Sequence, residues 1–121
     1  MSATNSNDDD DHRTVTILDE EALACPRCLG PYLHHTEVLV FDRREDAERT
    51  TVTSVLGGRI ASHSAVSDGC GNPSSRRNGI AVAFWCETCD HAADPDARVW
   101  LEIAQHKGLT LVCWRIPEDR S

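Results

Sequence analysis

The chain has 121 residues, enough for one domain, and its 40% hydrophobic but only 5% aromatic content limits it to a modest core. Twenty acidic against 12 basic side chains give a formal charge of −8, which argues against sequence-independent binding to a nucleic-acid backbone. No stretch has the length and apolarity of a membrane span and the start carries no charged-then-apolar signal pattern, so a soluble, cytoplasmic protein is expected.

Residues 1–12 form a polar head with four consecutive acids, Asp8 to Asp11, and are expected to be a solvated, disordered tail. A single domain should then occupy 13–117, with a short tail at 118–121. Arg13 to Leu18 is β-branched and predicts a short strand. Asp19 to Ala24 predicts one helical turn. Cys25-Pro26-Arg27-Cys28 follows, and the glycine of Leu29-Gly30 suits a tight turn that aims backbone N–H groups at the sulfurs. Tyr32 to Asp42 is rich in strand formers, Arg43 to Arg49 is a charged turn, and Thr50 to Leu56 alternates as a strand does. Gly57-Gly58 is a two-residue turn signal, after which Arg59 to Val66 can return antiparallel, loosely matched at the polar Ser62-His63-Ser64.

Ser67 to Gly79 holds Gly, Pro and Asn breakers and predicts a loop. Ile80 to Trp85 is a compact apolar strand leading into Cys86-Glu87-Thr88-Cys89, and Asp90 to Asp96 predicts another loop. Arg98 to Ala104 reads two ways. Asp94-Pro95 and Lys107-Gly108 resemble helix start and stop signals, whereas Val99, Leu101 and Ile103 alternate as on a strand. Leu109 to Ile116 is strand-like and needs a neighbour, which favours a hairpin turning at Gln105-His106-Lys107-Gly108. The expected fold is therefore mainly β, a small antiparallel sheet with a two-knuckle, four-cysteine zinc site and long loops.

The two CxxC motifs carry the chemistry. Cys25, Cys28, Cys86 and Cys89, with 57 residues between the inner pair, can place four thiolates around one structural zinc ion per chain. The alternative is two disulfides or free thiols; paired CxxC motifs in a reducing compartment favour metal. Four thiolates leave no open coordination position, so the ion is expected to hold the fold rather than catalyse. His34, His35 and His91 stand near the motifs and are read as surface residues, the alternative being that His91 replaces a thiolate or hydrogen-bonds one. Cys113 is expected as a small buried hydrophobe, and Cys70 as an exposed or stray thiol.

The phrases Asn72-Pro73-Ser74-Ser75-Arg76-Arg77-Asn78-Gly79, Phe84-Trp85-Cys86-Glu87 and Ile103-Ala104-Gln105-His106-Lys107-Gly108 resemble a group of small zinc-ribbon proteins encoded by actinobacterial phages and prophages. The resemblance spans roughly Cys25 to Trp114 and implies an antiparallel, metal-stapled fold with a terminal hairpin. It implies no established activity, and the long insertion between the knuckles departs from the compact ribbons of transcription and ribosomal proteins.

Arg76 and Arg77 form a basic island in an acidic chain, and with His106 and Lys107 at the hairpin tip they are the candidate binding surface. Trp85, Trp100 and Trp114 are expected to pack, Trp85 beside the knuckle and shielding the metal. The leading expectation is a non-enzymatic binding or adaptor module that contacts a protein or nucleic acid through the 72–79 loop and the 105–108 tip, with no small-molecule substrate and no membrane. A metal-dependent His-Asn-His-like nuclease, drawing on His34, His35, Asn72 or Asn78 and His91, is one alternative. An acidic, nucleic-acid-mimicking host-interaction protein is another.

Overall fold

The computed structural model describes residues 11–89 and 98–117. Among these there is no helix. Nine strands follow in chain order: β1 (Asp11–Arg13), β2 (Ile17–Leu18), β3 (Ala22–Leu23), β4 (Leu33–Asp42), β5 (Arg49–Leu56), β6 (Arg59–Val66), β7 (Gly79–Cys86), β8 (Val99–His106) and β9 (Leu109–Ile116). Seven form one antiparallel sheet in the order β1-β9-β8-β7-β4-β5-β6, and β2-β3 is a separate small hairpin.

The turn chemistry explains the two long hairpins. Gly57 and Gly58 take φ of 59° and 81°, and Lys107 and Gly108 take 51° and 81°, the left-handed pair that matches the twist of the strands on either side. The ambiguity over 98–104 is resolved as strand: β8 pairs β9 from Trp100↔Arg115 to His106↔Leu109. β5 and β6 pair along their whole length, Arg49↔Val66 to Leu56↔Arg59, so the polar Ser62-His63-Ser64 does not loosen the ladder.

Three local expectations are corrected. Asp19 to Ala24 forms no helical turn, because Asp19 and Glu20 take φ of 50° and 64° and turn the chain so that Ile17 pairs with Leu23. Arg13 to Leu18 is not one strand, since Arg13 ends β1 and Ile17 begins β2. Asp11 and His12 belong to the sheet, pairing with Ile116 and Arg115.

After β6 the chain crosses back through residues 67–78, so β7 pairs with the free side of β4 instead of with β6. The ladder from Leu33↔Cys86 to Phe41↔Gly79 is interrupted by a bulge at Thr36, whose hydroxyl donates to the Ala83 carbonyl at 3.4 Å.

The sheet is covered on opposite faces at opposite ends. On one face Phe41, Val52 and Ala81 are buried, and Leu39, Ala65, Cys70 and Trp100 pack against them. On the other face Val99, Trp114 and Ile116 are buried beneath Val15 and Leu23 of the N-terminal segment, with Phe84 edge-on to Trp114. β7 spans both regions, from Gly79 beside the 67–78 crossover to Cys86 at the knuckles.

Candidate metal centre

The first knuckle hangs from the N-terminal hairpin, and the second continues β7. The Leu29 amide donates to the Cys25 carbonyl at 2.8 Å and the Cys25 amide to the Gly30 carbonyl at 2.9 Å, closing a tight loop. Within it the Arg27 amide points at Cys25 Sγ and the Gly30 amide at Cys28 Sγ, both at 3.4 Å. The left-handed residue of this turn is Leu29, at φ 64°. Gly30 answers a different need: a Cβ there would lie 3.3 Å from Cys28 Sγ.

The structure brings all four sulfurs together. Cys25, Cys28, Cys86 and Cys89 place their Sγ atoms within 4.8 Å of one another. Cys25 Sγ lies 3.7 Å from Cys89 Sγ, and Cys28 Sγ lies 3.5 Å from Cys86 Sγ. A disulfide needs an S–S distance of about 2.05 Å, so these thiols are unbonded. Sulfurs at about 2.3 Å from a tetrahedral ion stand about 3.8 Å apart, close to both separations. The donor set fits a metal ion.

Thr88, which sequence reasoning passed over, ties the knuckles together. Its hydroxyl lies 3.2 Å from Cys86 Sγ and 3.4 Å from Cys28 Sγ, within reach of either thiolate. The available signal was its place inside the second CxxC. Burial opposes charge on Cys86, but the Thr88 hydroxyl and amide and the Cys28 thiol outweigh it and draw the Cys86 thiol down to about 6. Burial pushes Cys25 up despite the amides of its own loop, and burial together with the neighbouring sulfurs pushes Cys89 up.

Of the histidines near the cluster, the two described ones are engaged elsewhere. His34 stacks on Trp85 with ring centroids 4.3 Å apart, and its Nε2 is hydrogen-bonded to the Glu87 carboxylate. His35 meets Phe84 edge-on, and His91 lies outside the described residues. Trp85 thus packs on an imidazole. Trp114 is fully buried, and the Trp100 ring meets the guanidinium groups of Arg98 and Arg115, at 5.2 and 5.4 Å from its centroid.

Among the described residues, the asparagines and histidines of the nuclease alternative lie apart. Asn72 caps the crossover, accepting from the Ser74 amide and donating to the Arg77 carbonyl, and Asn78 accepts from the Arg43 amide. These asparagines flank Gly79, whereas His34 and His35 sit opposite Trp85 and Phe84. Five to six strand residues, about 17–20 Å, separate them. Cys70, expected as exposed or stray, is half-buried against the Phe41 cluster. Cys113 is also half-buried, and burial followed by the charge of Glu102 raises its thiol.

The basic island is largely neutralised. Arg76 bonds both Asp46 carboxylate oxygens, at 2.9 and 2.8 Å, and Glu45 at 2.9 Å; Arg77 bonds Glu45 at 2.8 Å. The Arg76 guanidinium in turn holds the Asp46 carboxyl below its usual range. The 72–79 loop and the 105–108 tip do meet at Gln105, whose carbonyl accepts from Ser74 Oγ at 2.8 Å and whose amide donates to Asn78 O at 3.1 Å. His106 is half-buried at the end of β8, while Lys107 is exposed in the turn. Beside this junction an open concavity of about 650 Å³ has Ile80 and Ile103 in its floor and Asp42, Arg43, Arg44, Glu45 and Arg77 around it.

No helix of the described residues is long and apolar enough to cross a membrane. Compared with known protein families, with curated proteins and with solved structures, the chain matches none.

Proposed function

We propose that this protein is a zinc-stabilised, non-enzymatic binding module of the zinc-ribbon kind, in which the metal fastens the scaffold and the far end of β7 offers the working surface. The observation that carries the reading is the closed set of four sulfurs. All the donors are thiols, their separations suit a tetrahedral ion, and the softness of sulfur favours zinc over hard cations. Four thiolates would fill every position, leaving none at which zinc could activate water or polarise a substrate.

The working surface is then at the Gly79 end, where the crossover, the 43–48 turn and Gln105 are locked together by hydrogen bonds. The concavity there combines an apolar floor with charges of both signs, which suits a protein segment better than a uniformly anionic nucleic-acid backbone. Arg44 and Lys107 take over from Arg76 and Arg77 as the cations open to a partner, since neither makes an ion pair among the described residues. The test has two parts. Elemental analysis of protein purified without chelator should give one zinc per chain; well under one defeats the metal reading. Affinity capture from cells with wild type and with Arg44→Ala/Ile103→Asp should recover a protein partner with wild type alone; identical recovery removes the concavity from the argument.

A further inference from the structure

The two edges of the large sheet are built differently. At one edge, β1 is three residues long, and all three, Asp11, His12 and Arg13, carry ionisable side chains. Short, charged edge strands resist pairing with other chains. At the other edge, β6 runs for eight residues with no proline, and Arg59 at its start is its one Lys, Arg, Asp or Glu. Its pairing with β5 is regular throughout, so no bulge turns the edge away. Among the described residues nothing covers its outer side. Ile60 and Val66, near its two ends and on one face, are 75% and 56% exposed.

The sequence of this edge is a near palindrome: Ile60-Ala61-Ser62-His63-Ser64-Ala65-Val66 reads alike in both directions about His63. We propose that β6 pairs antiparallel with β6 of a second copy of this chain, centred on His63, so that two seven-stranded sheets join into one. A two-fold axis through His63 places Ile60 opposite Val66 of the other copy, Ala61 opposite Ala65, and Ser62 opposite Ser64. Each exposed aliphatic residue thereby covers its counterpart, and symmetry makes that pair twice. Arg59 falls opposite Ser67 of the other copy, so no cation faces its own copy. The pairing also satisfies the outward backbone N–H and C=O groups of β6, the main-chain bonding that drives strand addition elsewhere. This inference is independent of the metal and of the concavity at the Gly79 end.

Sedimentation equilibrium at high micromolar concentration should give twice the 13.4 kDa chain mass for wild type. His63→Lys sets two ammonium groups face to face at the axis and should return the mass to 13.4 kDa, with metal content and circular dichroism unchanged because the position is exposed. His63→Cys fixes the register: paired strands hold opposed Cα atoms about 4.5–5.5 Å apart, within disulfide reach, so diamide should cross-link two chains through position 63. Ser62→Cys, which would face Ser64 and not itself, should cross-link far less. A wild type that stays monomeric overturns the proposal. So does a dimer that survives His63→Lys but dissociates with Val40→Glu, which would place the second copy on the apolar sheet face.

Discussion

Gly30 and Thr88, 58 residues apart in sequence, abut so closely that a Cβ on Gly30 would lie 3.0 Å from Thr88 Oγ1. The same hydroxyl faces Cys28 and Cys86 sulfurs, so the packing of one residue from each knuckle sets the spacing of the ligands. Gly30→Ala should therefore loosen the site without unfolding the sheet, and Thr88→Val should remove the hydroxyl while keeping its bulk. Each should weaken metal binding by about 10–100-fold, the usual effect of losing support just outside a ligand shell. Competition against a chromophoric chelator measures it. Thr88→Ser, which keeps the hydroxyl, should lie within a few-fold of wild type.

Metal removal should be the most damaging single perturbation. A chelator should unfold the domain or strongly lower its Tm, because metal binding and folding are coupled. Cys86→Ser should resemble chelation, whereas Cys70→Ser, half-buried outside the cluster, should cost about 1–2 kcal/mol. Thermal melts of both variants with and without chelator decide this, and equal Tm values would mean the wrong thiols were assigned.

Acid should reproduce chelation. Each ligand binds as thiolate, so protons compete with the metal and metal-derived stability must fall as pH falls. The Cys86 thiol, drawn down to about 6, contributes stability above its ordinary range and loses it as pH drops through that value. Metal release followed by a colorimetric indicator should centre at or below that pH, and the Tm should fall in parallel. A Tm independent of pH down to the carboxylate range would contradict a thiolate site.

The crossover should be sensitive to a single methyl group. A Cβ on Gly79 would lie 2.2 Å from Asn72 Oδ1 and 2.9 Å from the Pro73 ring. Gly79→Ala should displace the asparagine cap and cost about 2–4 kcal/mol. Ser74→Ala removes a buried hydroxyl that accepts from the Arg77 amide at 3.0 Å and donates to Gln105, and should cost about 1–3 kcal/mol. Urea denaturation measures both, with metal content unchanged.

On the outer half of the sheet, Glu102 and Arg115 form an ion pair at 2.7 Å whose carboxylate is only 6% exposed. Glu102→Ala leaves the guanidinium over Trp100 without that carboxylate and should cost about 3 kcal/mol. Glu102→Gln, which keeps a hydrogen-bond acceptor, should cost less. A Glu102→Ala variant as stable as wild type would show the pair to be incidental.

Much of this was legible in the sequence because it is local. CxxC spacing marked the four cysteines that cluster, Gly57-Gly58 marked its hairpin, and alternation marked β5, whereas 98–104 read as helix or strand until the strand-like 109–116 beside it favoured the second hairpin. What was not legible depends on contacts between distant segments. No periodicity tells β7 to pair with β4 across a 67–78 crossover, nor Glu45 and Asp46 to meet Arg76 and Arg77 about 30 residues later. The basic island therefore read as available when its charge was already answered. Leu29 likewise takes its left-handed position because the Cys25–Gly30 loop holds its backbone there.

A metal clasp between Cys28 and Cys86 would turn the intervening 57 residues into a closed ring. The strands inside that ring, β4 to β7, are neighbours in the sheet order β7-β4-β5-β6, while β8, β9 and β1 lie outside it. The ring therefore encloses a contiguous four-stranded block. A protease cut in the exposed Gly57-Gly58 turn would open the polypeptide but not the molecule, since both pieces would still be fastened to the same ion.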